Sequence, residues 1–324
     1  MKTIAFFNGK TGVGTTTLVY HLAHMFPRLG YPTLAVDLDP QASLTSAFFD
    51  EAALTELWRE SELLMAGEFS IEGTGALEGR APREVAECLW VVTADLVPPR
   101  LEEKLSDSWS RALNSDQTAL RKISMFHRII KQAASAVDAG VALLDVGPTL
   151  GAITRSTLLA ADFLVIPLAP DLLSLQGLRN LGPTVRGWQR QWRQIQNRAE
   201  ANTDLPPGDM TPAGYIVLQP VVRLDRPPNA YGRWMKLIPT AYCQAVAHED
   251  SSAGKGISHD EHCLGCLPNF RSLAPMAQEA RKPMFDLSPA DGAIGSHSQL
   301  VQTCEIEFRR LAERIAERCG LEKR

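Results

Sequence analysis

A chain of 324 residues with 45% hydrophobic and 22% charged residues has the make-up of an ordinary globular protein, long enough for one large α/β domain or two average ones. Its 33 basic and 37 acidic residues give a net charge of −4, which excludes a surface that is basic overall and leaves only local patches for nucleic acid. No apolar run approaches the roughly 20 residues of a membrane span. The opening MKTIAFFNGK lacks a cleavage signal, and six scattered cysteines read as reduced thiols, so a cytoplasmic protein without membrane contact is expected.

In chain order, short apolar runs alternate with helical patterns, as in a parallel sheet covered by helices. Strands are expected at Thr3–Asn8, Thr33–Asp37, Leu89–Thr93, Val141–Val146, Phe163–Pro167 and Ala213–Leu218. Their continuous apolar character says that both faces are buried. A first helix follows at Thr15–Leu29, ended near Gly30. A second, Ala119–Val137, carries Leu120, Ile123, Phe126 and Ile130 on one face. Leu172–Arg198 reads as a long helix with an interruption near Gly182 and Pro183, and Ala293–Cys319 closes the chain. Residues 51–87 and 248–268 read as insertions in a single doubly wound α/β domain with a mostly parallel sheet.

Between the first strand and the first helix lies Gly9–Thr17, GKTGVGTTT. Glycines here let the backbone curl so that its N–H groups, together with a helix N-terminus, form a cradle for phosphate oxygens. Thr16 falls where the loop's hydroxyl would hold Mg²⁺, but Thr15 stands where a phosphate-binding lysine belongs. Two carboxylates support the motif. Asp39 ends the second strand in DLDPQAS, where an Asp-Pro pair alone would be a turn starter. Asp145 ends the strongly apolar strand in VALLDVGP, where it would either hold Mg²⁺ through water or cap the helix at 151–161.

The loop and both carboxylates together resemble the ParA/MinD partitioning ATPases, P-loop NTPases of the SIMIBI class. Their deviant loop runs lysine-Gly-Gly-x-Gly-lysine-Thr-Thr. The resemblance covers 1–41, 141–181 and 215–219, and returns faintly over 272–293 in KPMFDLSPADGA. It implies ATP or ADP held by Gly9, Lys10, Thr11, Gly12, Val13, Gly14, Thr15, Thr16 and Thr17, with the base near Gln219 and Pro220. It implies Mg²⁺ organised by Thr16, Asp39 and Asp145, with Asp39 linked to the attacking water. Lys10 matches the signature lysine that reaches the partner's nucleotide in a homodimer. A companion adaptor, non-specific DNA, nucleoid association and a role in positioning DNA or other cargo follow from the same resemblance. Thr11, Thr15 and Gly147 depart from the family pattern, the last by standing where a proline is usual. Charge-assisted hydrogen bonds contribute about 1.5–3 kcal/mol each, so losing the cation at position 15 implies weak nucleotide binding and slow or absent hydrolysis.

Three further groups carry candidate chemistry. Arg186, Arg190 and Arg193 follow helical spacing and read either as a solvated face or as a DNA-binding stripe, with Trp188 and Trp192 on other faces. Arg309, Arg310, Arg314 and Arg318 are interleaved with glutamates and read as intrahelical pairs. His259, His262, Cys263 and Cys266, in HDEHCLGC, offer metal-ligand types at crowded spacing. Two alternatives to the ATP switch therefore stay open. One is a nucleotide-independent pseudo-ATPase acting as a structural or regulatory partner, and the other an Fe–S or metal carrier using Cys263 and Cys266.

Overall fold

The computed structural model describes residues 1–66, 81–94, 100–200, 203–218, 229–249, 256–270 and 272–323. In chain order the elements are β1 (Lys2–Phe6), α1 (Thr15–Arg28), β2 (Thr33–Asp37), α2 (Ser43–Phe48), α3 (Glu51–Ala66), β3 (Arg83–Ala86) and β4 (Leu89–Val92). Then come α4 (Leu101–Ala112), α5 (Gln117–Ile123), α6 (Met125–Ala136), β5 (Val141–Asp145), α7 (Ala152–Leu159), β6 (Phe163–Leu168) and α8 (Leu172–Gln196). The chain continues through β7 (Thr211–Leu218), α9 (Asn229–Tyr242), β8 (Cys263–Leu267), α10 (Leu273–Ala280) and α11 (Ser296–Cys319).

The strands form one sheet in the order β3-β4-β2-β5-β1-β6-β7-β8. All neighbours are parallel except β3, which pairs antiparallel with β4 at one edge. Helices cover both faces, the doubly wound α/β arrangement that the sequence pattern predicts. Side chains alternate between two cores, as strand geometry requires. Ala5, Leu34, Val36, Leu144 and Ile166 pack under α4 to α9. Ile4, Phe6, Ala35, Leu143 and Val165 pack against α1, α10 and α11. Every residue of β2 and β5 is buried, which explains their unbroken apolar sequences. Among the described residues no helix is long and apolar enough to cross a membrane.

Three elements differ from the sequence expectation. The 119–137 pattern is two helices, α5 and α6, which meet at Ser124. The α8 helix runs unbroken for 25 residues with Pro183 inside it. A proline there removes one backbone hydrogen bond, but the extensive burial of Leu178, Leu181, Val185, Trp188 and Trp192 keeps the helix continuous. Finally, Cys263–Leu267 is not part of an inserted loop. It is strand β8, parallel to β7 at the sheet edge, with Leu264 and Leu267 buried in the core. Two cysteines and a glycine in a five-residue run conceal its strand character.

Candidate nucleotide-binding site

Strand β1 and helix α1 create the site. Gly12 and Gly14 adopt φ of 71° and 97°, left-handed values that glycine reaches without strain, and Gly14 immediately precedes the first turn of α1. Leu18 N–H donates to the Gly14 carbonyl at 2.9 Å, and Thr15, Thr16 and Thr17 form the helix's opening turn. A cavity of about 810 Å³ lies over this loop. It is lined by residues 10–17, by Asp39 and Gln41 after β2, and by Gln278, Arg281 and Lys282 at the end of α10. Thr15 faces this cavity with a hydroxyl and no charge.

The carboxyl ends of β2 and β5 are in register, so Asp37 lies beside Asp145. Asp37 accepts from the Thr45 N–H and hydroxyl, both at 2.7 Å, which anchors the start of α2. Burial raises the Asp37 carboxyl to about 6 despite these bonds. Burial also raises Asp145, to about 8, with the charges of Asp37 and Asp39 adding to it and the Thr16 hydroxyl opposing it. One Asp145 carboxylate oxygen is buried without a partner among the described residues. Asp39 is half-buried and accepts from Gln41 N–H at 3.0 Å. Three mutually repelling carboxylates, a threonine hydroxyl and an orphaned buried oxygen form a donor set that fits a hard cation such as Mg²⁺.

Two details bear on the departures seen in the sequence. A Cβ added at Gly147 would lie 3.1 Å from an Asp39 carboxylate oxygen, so glycine at this position lets Asp39 approach the loop after β5. The helix after that loop does not use Asp145 as its cap. Glu102 of α4 instead accepts from the N–H groups of Ala152 and Ile153, at 2.6 and 2.9 Å. Asp145 is therefore left with no structural duty as a helix cap.

Lys10 is half-buried and ion-paired with Asp171, the N-cap of α8. Its backbone N–H donates to Asn8 Oδ1 at 2.9 Å, and Asn8 donates in turn to the Pro167 carbonyl. Burial favours the neutral Asp171 carboxyl, but bonds from Lys10 and from Ser174 outweigh that and hold it below the ordinary carboxylate range. Neither Asp171 nor Asn8 stands out in the sequence, although Asp171 with Ser174 three residues on is a recognisable cap pattern. On α1, Met284 N–H donates to His21 Nε2 at 2.9 Å, so Nδ1 carries the proton and donates to the Thr17 carbonyl at 2.7 Å. His21 thereby ties the end of the phosphate loop to the segment 283–286.

Among the described residues, the expected arginines and the histidine–cysteine cluster are not drawn into this site. Gln219 and Pro220 lie outside the described residues. The proposed arginine stripe is divided. Arg186 donates to the Ala245 carbonyl at 2.6 Å and serves packing, whereas Arg190 and Arg193 are exposed. The cluster of His259, His262, Cys263 and Cys266 is also divided. His259 is exposed, Cys263 is buried on β8 with its sulfur 4.0 Å from that of Cys266, and His262 pairs with Glu249.

The profile of a family described as an AAA domain matches residues 1–197. The chromosome-partitioning ATPase Soj of Thermus thermophilus is 31% identical over 185 residues, covering 57% of this chain and 61% of that protein. A virulence plasmid ParA family protein of Chlamydia psittaci is 27% identical over 186 residues, covering 56% and 62%. The chain thus spans less than two thirds of either relative's length. Among solved structures, a Cyanothece McdA variant in complex with ATP superposes with a TM-score of 0.58 at 15% identity, covering 100% of this chain and 98% of that one. The septum site-determining protein MinD of Pyrococcus horikoshii, complexed with Mg-ADP, gives 0.53 at 14% identity, covering 96% and 94%. At these identities the two structures speak for the fold. With its profile matched over more than half the chain, the protein belongs to the AAA domain family, and ParA-type partition proteins are among its relatives.

Proposed function

We propose that this protein is a ParA-like, nucleotide-dependent dimerising switch that positions DNA or another cargo, with binding and hydrolysis of ATP weakened by Thr15. The observation that carries the reading is the pairing of a formed glycine loop with three crowded carboxylates, of which Asp39 lines the same cavity, where position 15 brings no cation. In this reading residues 9–17 hold the phosphates through backbone N–H groups and the dipole of α1. Thr16, Asp39 and Asp145 would hold Mg²⁺, which when bound offsets phosphate charge and polarises the γ-phosphate. Asp39, the most accessible of the three carboxylates, would orient the attacking water. Gln219 and Pro220 would meet the base.

Lys10 links the site to dimerisation. Its ammonium must leave Asp171 before it can reach a partner's nucleotide. Leu172 and Leu173, 56% and 64% exposed beside Asp171, offer apolar surface for a second copy. Arg190 and Arg193 supply exposed cations for non-specific DNA, and an adaptor protein would complete the positioning system. Sedimentation of the protein with and without Mg-ATP tests the switch. A nucleotide-dependent dimer that Lys10→Ala reduces to monomer supports it, and a monomer in both states contradicts it. A second reading, a pseudo-ATPase, is favoured by Thr15 and by the engagement of Lys10 with Asp171. It requires a dimer indifferent to nucleotide.

A further inference from the structure

At the edge of the sheet beside β8, the end of a helix, the turn that follows it and the loop that enters β8 come together. Helix α9 ends at Tyr242 and passes into a π-helical turn, Cys243–Ala247, of the wide-turn type that often marks a functional position. Two residues beyond it is Glu249, whose N–H donates to the Cys243 carbonyl at 3.2 Å. His262 arrives from the loop that enters β8 and places Nε2 3.0 Å from a Glu249 carboxylate oxygen. The thiol of Cys243, the Glu249 carboxylate and the His262 imidazole all have donor atoms within 4.8 Å of one another. Among the described residues, no other three such donors converge this closely.

Described contacts hold the scaffold around Cys243 and His262. Gly182 of α8 has no room for a Cβ because the Ala245 carbonyl lies against it, and Arg186 donates to the same carbonyl. The π-helical turn is thereby held to α8. On the other segment, Asp260 accepts from the His262 N–H at 3.1 Å and from the Tyr215 hydroxyl, and Tyr215 N–H donates to the His262 carbonyl at 2.9 Å. The His262 ring packs on Tyr242, with centroids 5.1 Å apart. Tyr242 itself is fully buried, and its hydroxyl has no partner among the described residues. A bound dication would stabilise the Cys243 thiolate and offset the Glu249 carboxylate.

We propose that Cys243, Glu249 and His262 form a Zn²⁺ site that clamps the end of α9 to the loop entering β8. Sulfur and imidazole donors select zinc over Mg²⁺ or Ca²⁺, and one thiolate is too few for an Fe–S cluster. Tetrahedral zinc holds nitrogen and oxygen ligands about 3.3 Å apart, close to the 3.0 Å found between His262 and Glu249. The sulfur completes the set from within 4.8 Å of both. Three protein ligands leave a fourth position for water.

The test is titration of metal-stripped full-length protein with Zn²⁺ against a chromogenic chelator, then with Co²⁺, all without nucleotide. We expect one Zn²⁺ per chain and a thiolate-to-cobalt charge-transfer band. Cys243→Ser abolishes the band, and the fold-sparing Glu249→Gln at an exposed position weakens zinc binding at least about ten-fold. Cys266→Ser leaves both unchanged. Failure to take up zinc, uptake insensitive to Glu249→Gln, or a band that survives Cys243→Ser overturns the assignment.

Discussion

The centre of the sheet and its β8 edge both gather metal-ligand side chains, yet they do so by opposite routes. At the centre, Asp37, Asp39 and Asp145 come from two strand ends in parallel register, and burial pushes Asp37 and Asp145 upward. At the edge, Cys243, Glu249 and His262 come from a helix end, a loop and a strand entrance, and remain partly open to solvent. The centre is a property of the doubly wound fold, which gathers ligands at the carboxyl ends of its strands. The edge depends on particular packing, a glycine and an arginine of α8 gripping one carbonyl. Damage to that packing should therefore silence the edge and leave the phosphate cradle standing.

The largest expected effect follows directly. Gly182→Val drives a side chain into the Ala245 carbonyl and should cost about 3 kcal/mol in urea unfolding, with loss of zinc uptake. If the variant keeps wild-type stability and zinc uptake, the edge does not depend on this contact.

Next in size is Asp145→Asn, a change at the centre. Because the folded carboxyl sits near 8, above its unfolded value of 3.8, it stabilises the cation-free protein fully only below about pH 4, and that contribution is lost as pH rises toward 8. Asp145→Asn should raise stability at pH 8 by about 1 kcal/mol or more without Mg²⁺, while abolishing any stabilisation by Mg-ATP. Thermal unfolding at pH 5 and pH 8 separates the two effects, and equal midpoints for both proteins at pH 8 would contradict the buried-carboxylate account.

Asp171→Asn sharpens the comparison on the dimer side. The amide oxygen can still cap α8, so stability should fall by only about 1 kcal/mol while Lys10 is released. Mg-ATP affinity measured by calorimetry should then rise several-fold, and unchanged affinity would mean that the ion pair does not restrain Lys10. The smallest effect belongs to His21. Burial holds it near 4, below its unfolded 6.5, so its contribution is present above pH 6.5 and is lost as pH falls toward 4. His21→Gln should flatten the loss of stability between pH 6.5 and 4 by about 1 kcal/mol, and an unchanged acid limb would show that His21 does not carry it.

What could be read beforehand divides along the same line. Gly9–Thr17, Asp39 and Asp145 were legible because a phosphate cradle is local, a glycine-rich turn between a strand and a helix, and its carboxylates end apolar strands. Asp171 escaped notice because its part in the site is a contact across 161 residues with Lys10. Strand β8 was obscured because Cys263, Gly265 and Cys266 are poor markers of a strand, and its pairing with β7 is set by tertiary packing. His262 was read with its sequence neighbours, whereas the fold turns it toward Cys243 and Glu249. Likewise Arg186 looked like one of three equivalent arginines until the π-helical turn claimed it.

Calorimetric titration of Mg-ATP into the native chain and into Thr15→Lys asks whether the cradle is intact and lacks only the cation of position 15. Weak binding by the native chain is expected, with an affinity about ten- to a hundred-fold higher in the variant, the worth of one restored charge-assisted contact. Tight binding by the native chain that Thr15→Lys leaves unchanged would contradict that expectation.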